Sequence, residues 1–231
     1  MSRIIKKPDE LLAIMEAQAI GDACFTHILD YIRPGMSEKQ VAEEINRTLL
    51  ALGAEKIAFE TICVSGENGD QPHGVPSDRI IRNWDLVTMD FGAVVRGYCG
   101  DMTRTIGIGD LSDEMRQAYK LVLDAQEAGL AACKAGIRCA DVDRVCRDMI
   151  AEAGFGEYFV HGTGHGVGRE VHEAPTLNAK SDEILKAYMP VTVEPGIYVP
   201  GRYGIRIEDL AIITDFGIIN ATKSRKDLII V

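Results

Sequence analysis

Apolar residues at positions 11, 12, 15, 19, 20 and 25, behind Pro8-Asp9-Glu10, follow the spacing of a helix face. They predict a helix with proline in its first turn, running to about Tyr31 and broken by Arg33-Pro34-Gly35. Ser37, with Gln40 three residues on, predicts a capped start for a second helix that stops near Gly53. The pattern then changes period. Residues 57–64 read as a strand, followed by a polar loop from Ser65 to Asp78 that carries His73. Two further strands, 86–94 and 98–108, flank a turn at Arg96-Gly97. Ser112 then caps a helix over 113–133, Lys134-Ala-Gly136 interrupts it, and another helix runs from Ala140 to Gly154. Residues 157–161 look like a strand, and an apolar pair, 191–194 and 204–213, completes the pattern.

The order helix, helix, strand, loop, strand pair therefore occurs twice. Arg33-Pro-Gly35, Val41 and Gly53 correspond, at a constant offset of 101 residues, to Lys134-Ala-Gly136, Val142 and Gly154. Helix junctions often look alike, which is the bland reading of this echo. Read as a repeat, it implies two similar α+β halves facing each other, with room for a site in the cleft between them.

One stretch breaks the alternation. In His161-Gly-Thr-Gly-His-Gly-Val-Gly168, followed by His172-Glu-Ala-Pro175, three of the chain's five histidines fall among glycines at every second position. Each glycine costs backbone entropy and packs nothing, so this density is expensive in a helix or a regular buried strand. The expectation is that substrate or metal approaches the backbone closely here.

Carboxylates in apolar strands are the second oddity. Asp90 sits mid-strand, and Asp101 follows beyond the turn. If Val94 and Gly97 close that turn, Asp90 lies directly opposite Asp101, where like charges repel. The alternative is an aspartate that caps the turn and faces solvent. The second half repeats the oddity with Glu194, at the end of Val-Thr-Val-Glu, and Glu208, inside 205–213. Arg206 and Glu208 share a strand face. A lone Arg-x-Glu is commonly a surface pair, but two strand pairs with inward acids ask for compensation. Four carboxylates and one imidazole would balance two divalent cations. Such an oxygen-rich set suits manganese, cobalt, iron or zinc. Two ions about 3.5–4 Å apart can share and activate a water.

Composition narrows the field. At 231 residues, 46% hydrophobic and with mean hydropathy near zero, the chain is ordinary globular material. Acids outnumber bases 35 to 25, and no basic run exceeds Lys6-Lys7, which argues against nucleic-acid or anionic-membrane binding. The six cysteines form no C-x-x-C pair, and neither a signal-peptide core nor a run of transmembrane length occurs, so a reducing cytoplasm is expected. A phosphate-binding loop, a dinucleotide fingerprint, H-E-x-x-H and G-x-S-x-G are all absent from the sequence.

From about Ile5 to the C-terminus these motifs resemble the metallopeptidases of the pita-bread (creatinase/aminopeptidase) fold, which include methionine aminopeptidase, Xaa-Pro aminopeptidase and prolidase. The resemblance implies an α+β fold of two pseudo-symmetric halves around a curved, mainly antiparallel sheet. It implies metal ligands at Asp90 in Met-Asp-Phe-Gly, Asp101 in Gly-Asp-Met-Thr-Arg, His165 in Gly-His-Gly-Val-Gly, Glu194 in Glu-Pro-Gly and Glu208 in Arg-Ile-Glu-Asp. They would hold two divalent ions, manganese first, with cobalt, zinc or iron as alternatives. Glu194-Pro-Gly-Ile-Tyr-Val-Pro-Gly201 with Arg206, His161 four residues before His165, and Pro72-His73-Gly74 are similar to the proline-specific branch. The implied activity is hydrolysis between an N-terminal residue and proline in a peptide or dipeptide. His73, His161 and His172 would contact substrate and the developing oxyanion. Glu194 would also carry a proton, and Arg206 would orient ligands or meet a substrate carboxylate. Residues 1–231 read as a single catalytic domain, without the N-terminal domain of longer members, and a homodimer is compatible with the family. Methionine aminopeptidases are as short, and Arg169 is also their usual residue, so that activity is the alternative. A binding module that kept the fold and lost catalysis is a further one.

Overall fold

A computed structural model describes residues 4–231. Its four helices are α1 (Pro8–Tyr31), α2 (Glu38–Ala51), α3 (Asp113–Ala132) and α4 (Cys139–Glu152). Their starts follow local chemistry. Pro8 opens α1, where its missing N–H would have had no partner anyway. Ser37 and Gln40 form a reciprocal capping box on α2, and the Ser112 hydroxyl accepts from the Met115 N–H at α3. The α2 and α4 helices have equal length and lie 101 positions apart, so the offset seen in the sequence is a structural repeat. The turns between helices agree. Gly35 and Gly136 sit at φ 96° and 90°, and Gly53 and Gly154 at 104° and 85°. Each is a left-handed position that glycine occupies without a Cβ clash.

Each helix pair covers strands of its own half. From α1 and α2, Phe25, Ile28, Ile45 and Leu49 pack on Val87, Met89 and Ile106. From α3 and α4, Val122, Ala125, Val142 and Ile150 pack on Val191, Val193 and Ile213. The named ladders are antiparallel. Ile62–Ser65, Leu86–Phe91 and Met102–Gly107 form one three-stranded sheet. A five-stranded sheet runs in the order Ile218–Asn220, Asp209–Ile213, Pro190–Val193, Gly164–Gly166, Glu173–Leu177. Trp84 and Tyr188, leading into the two hairpins, extend the symmetry. Both are exposed aromatics at positive φ, 75° and 68°, with their N–H groups held by Ile108 and Ile213 carbonyls. Bulky side chains rarely tolerate that backbone region.

Four expectations need correction. The strand at 57–64 is two pieces, Lys56–Ile57 and Ile62–Ser65. Residues 157–161 form no strand, because Gly156–Tyr158 coils into a short 3-10 turn. The first hairpin is not closed by Val94 and Gly97. Arg96 and Gly97, both at positive φ, make the two-residue turn between Val95 and Tyr98, and their N–H groups donate to Glu55. That register sets Asp90 opposite Thr103, not Asp101.

The fourth correction concerns the glycines of 161–168. Gly164–Gly166 is a strand after all, held between two neighbours in the five-stranded sheet. A Cβ on Gly164 would lie 2.0 Å from the Thr192 carbonyl oxygen, and one on Gly166 would lie 2.2 Å from that of Ala174. At Gly164 and Gly166 it is adjacent backbone that approaches closely.

Candidate metal centre

Breaks in the two long hairpins deliver the carboxylates. In the first half, Gly92 interrupts the ladder because the Gly100 backbone approaches so closely that a Cβ would meet its carbonyl oxygen at 2.0 Å. Asp101 falls in the gap between Tyr98–Cys99 and Met102–Gly107, its N–H held by Gln18 Oε1 at 3.0 Å. In the second half the pairing Val193↔Asp209 resumes as Gly196↔Arg206, and Glu194 and Glu208 lie in the gap between. The Glu208 N–H donates to the Thr103 carbonyl, which stitches the two halves together at the site. His165 is the middle residue of its three-residue strand.

The structure brings all five implied ligands together. His165 Nε2 lies 3.1 Å from Glu194 Oε1 and 3.5 Å from Asp101 Oδ2. On its other side Nδ1 lies 3.1 Å from the Gly166 carbonyl and donates to it, which fixes the ring with Nε2 toward the carboxylates. Ligand atoms of Asp101, His165 and Glu208 all lie within 4.8 Å of one another. Asp101 is 4% exposed and Glu208 1%. Burial, then the charge of Glu208, pushes the Asp101 carboxyl well above its ordinary range. Burial and the Glu194 charge do the same to Glu208. Burial also raises Asp90 against the pull of Arg206. Glu194 goes the other way. Burial works to raise it, but the hydrogen bond and charge of His165, with His161 and Arg206, outweigh that and hold it at about 2.

Two oxygens carry the case for a cation. Asp90 uses Oδ2 on Arg206 at 2.6 Å, and Glu208 uses Oε2 on the Thr103 hydroxyl at 2.6 Å. Their other oxygens, Asp90 Oδ1 and Glu208 Oε1, are buried with no hydrogen-bond partner. Buried carboxylate oxygens left bare cost far more than hydrogen bonding alone returns, and divalent ions would satisfy both. The donor set fits such ions, and the residues that would hold them are Asp90, Asp101, His165, Glu194 and Glu208.

Thr192, Thr103 and Tyr198, not singled out in the sequence, orient these groups together with Arg206. The Thr192 hydroxyl donates to Glu194 Oε1 at 2.9 Å and accepts the His165 N–H at 3.0 Å. Arg206, only 3% exposed, donates to Thr103, the Pro72 carbonyl, the Tyr198 hydroxyl and Asp90. With those donors engaged inside the protein, Arg206 orients a carboxylate and is not free to clamp a substrate carboxylate bidentately. Lysine lacks the planar fork needed to hold four partners. Arg206→Lys is therefore expected to weaken metal binding by about 10- to 100-fold, as for other groups that orient ligands. A metal titration with unchanged affinity would remove Arg206 from this role.

A cavity of about 840 Å³ opens over the carboxylates, walled by apolar Phe59, Ile62, Val75 and Val171 and by His73, His161 and His172. His161 is the best anchored of the three histidines. Its Nδ1 lies 2.7 Å from the Gly162 carbonyl and its Nε2 lies 2.9 Å from the Tyr198 hydroxyl, so Tyr198 joins it to Arg206. Burial lowers the His161 pKa and favours the neutral ring. His172 is exposed and packs edge-on to His165, with ring centroids 4.3 Å apart. Its pKa is also lowered, by partial burial and by the neighbouring imidazole. His73 stands exposed on the wall. All six cysteines are buried and unbridged, and burial raises every thiol, so none is poised as a nucleophile. Among the described residues, no helix is long and apolar enough to cross a membrane.

Comparison with known proteins gives a consistent picture. The pattern of metallopeptidase family M24 matches residues 13–215. An uncharacterised peptidase of Bacillus subtilis is 47% identical over 99% of this chain and 65% of its own length. The solved structure of an Xaa-Pro dipeptidase from Bacillus anthracis superposes with a TM-score of 0.98 at 48% identity, covering 99% of this chain and 64% of that one. An X-Pro aminopeptidase from Thermotoga maritima superposes with a TM-score of 0.97 at 39% identity, covering 99% of this chain and 65% of that one. The chain thus spans just under two thirds of the length of these relatives.

Proposed function

The chain belongs to metallopeptidase family M24 and has its pita-bread fold, and from that premise we propose that it is a two-metal exopeptidase cutting between an N-terminal residue and proline. The observation that carries this reading is the convergence of four carboxylates and His165 beneath a cavity, with two buried carboxylate oxygens left for a cation. The names borne by similar proteins, an Xaa-Pro dipeptidase and an X-Pro aminopeptidase, support the choice of proline. Bound there, the ions would supply Lewis-acid polarisation of the scissile carbonyl and a more acidic water. Manganese is the proposed metal, because the set is oxygen-rich with a single nitrogen.

The chain's own groups would do the rest. Glu194, held ionised and oriented by Thr192, would accept a proton and pass it toward the leaving nitrogen. His172 and His73 on the wall would bind the substrate carbonyls as their charge develops. His161, its Nδ1–H given to the Gly162 carbonyl and its Nε2 facing the Tyr198 hydroxyl, would line the site and hold Tyr198 in place. The apolar wall suits a proline ring. The imide nitrogen of proline has no N–H, so a pocket built for it needs no acceptor at that point.

A peptide panel tests the proposal. With manganese or cobalt supplied, Ala-Pro and Gly-Pro peptides are expected to be cleaved and Met-Ala peptides to be poor substrates. Exclusive cleavage of Met-Ala peptides would replace the proposal with a methionine aminopeptidase. Metal uptake without turnover of any peptide would leave a binding module.

A further inference from the structure

The main cavity does not end at its histidine wall. A second lobe of about 360 Å³ shares His161, Gly162 and Asn178 with it and continues to Arg147, Phe159 and Lys180. Asn178 is fixed at this junction. Its carboxamide oxygen accepts the Lys180 N–H at 2.9 Å, which leaves its NH₂ end as a donor for a peptide carbonyl. The two cations of the lobe differ in what they have left to give. Arg147 is held bidentately by Asp143 at 2.9 Å through two nitrogens, donates to the Phe159 and His161 carbonyls, and lies 4.3 Å over the Phe159 ring. It is a braced floor, its charge already matched. Lys180 is exposed, and among the described residues no carboxylate pairs with its ammonium.

The whole groove is therefore polarised. Four carboxylates lie at the deep end, and an uncompensated cation lies at the far end beyond His161. A peptide with its free amino terminus over the carboxylates and its chain running past His161 would carry its own negative charge toward Lys180. We propose that the smaller lobe is the subsite for residues downstream of proline, with Asn178 binding a backbone carbonyl and Lys180 binding a carboxylate. The inference rests on the peptidase reading above. It makes the preferred substrate longer than a dipeptide, with the negative charge coming either from the peptide's own C-terminus or from an acidic side chain.

Two experiments test it. The first is steady-state kinetics on Ala-Pro-Ala-Ala as free acid and as C-terminal amide, and on Ala-Pro-Ala-Glu and Ala-Pro-Ala-Gln amides. The wild type is expected to favour a carboxylate-bearing member by about two- to fivefold in kcat/KM, the strength of one solvent-exposed ion pair. Lys180→Ala should bring that ratio to about one, Lys180→Glu should invert it, and Lys180→Arg should restore it. Which pair responds distinguishes chain terminus from side chain. The second measures calorimetric binding of the product-like Pro-Ala-Ala acid and amide to the metal-loaded protein, which needs no turnover. Binding discrimination that depends on Lys180, without cleavage of any Xaa-Pro peptide, would keep the subsite and sink the peptidase reading. Cleavage with equal rates and equal binding for acid and amide would keep the peptidase and overturn the subsite.

Discussion

Asp101→Asn protein is expected to fold, to lose its metal and to lose activity with it. Asp101 is buried among three other carboxylates, and its backbone N–H is fixed by Gln18 independently of its own side chain. Asparagine is close to isosteric, so the surrounding packing need not move. What changes is charge and ligand strength. Groups that merely orient ligands are worth about 10- to 100-fold in metal affinity, so loss of a ligand should cost at least about 100-fold. Stability should move in opposite directions with and without metal. Without metal, the substitution removes one member of a set in which burial, and then mutual repulsion, pushes Asp101 and Glu208 well above their ordinary range. The metal-free variant should therefore unfold at higher denaturant than the metal-free wild type. With metal at about 1,000 times its dissociation constant, the wild type should gain about 4 kcal/mol that the variant does not. Elemental analysis and paired denaturation curves check both halves. Unchanged stoichiometry in a folded Asp101→Asn protein would refute the ligand assignment.

The glycine-rich stretch marked an imidazole near the site, but the choice of His165 among its three histidines came from the family resemblance. The four converging carboxylates were legible in the sequence because acids are chemically out of place in apolar strands. The helices were legible for a similar reason, since caps at Ser37 and Ser112 and stops at Gly53 and Gly154 are local signals. The groups that orient the site were not. Thr103 meets Glu208 and Arg206 across 105 and 103 residues, and Tyr198 reaches His161 across 37. No local pattern encodes such distances. One signal was nonetheless available. Thr103 stands two positions from Asp101, and Thr192 two from Glu194, so each threonine belongs to the strand face next to its carboxylate. The hairpin register was misread for a related reason. Placing Asp90 opposite Asp101 explained their pairing by a ladder, whereas the structure brings them together across a ladder break at Gly92 and Gly100. The same kind of break at Glu194 and Glu208 in the second half places those carboxylates, so the repeat extends from the helices to the site itself.

Gly164→Ala is the other substitution expected to have a large effect, and it tests what the glycines are for. A methyl group here would sit 2.0 Å from the Thr192 carbonyl oxygen and 2.8 Å from its carbon, both backbone atoms in a strand with neighbours on either side. Neither can swing away as a flexible side chain could. Relief requires the two strands to separate, and overpacking of that kind costs about 3 kcal/mol or more. The damage is not confined to stability. Thr192 holds the His165 N–H and the Glu194 carboxylate, so displacing it moves two implied ligands at once. Metal affinity should fall along with the unfolding midpoint. Gly35→Ala provides the comparison. Gly35 has φ 96°, but a methyl group added there would meet nothing within 4 Å. Its substitution therefore carries only torsional strain, about 1–2 kcal/mol, and should leave metal binding untouched. If the glycines served instead to admit substrate, Gly164→Ala would raise KM while stability and metal affinity stayed at wild-type values. Denaturant unfolding and metal titration of the two variants side by side separate these accounts. A Gly164→Ala protein no less stable than Gly35→Ala, with its metal affinity intact, would overturn the close approach of the strands as the reason for the glycine.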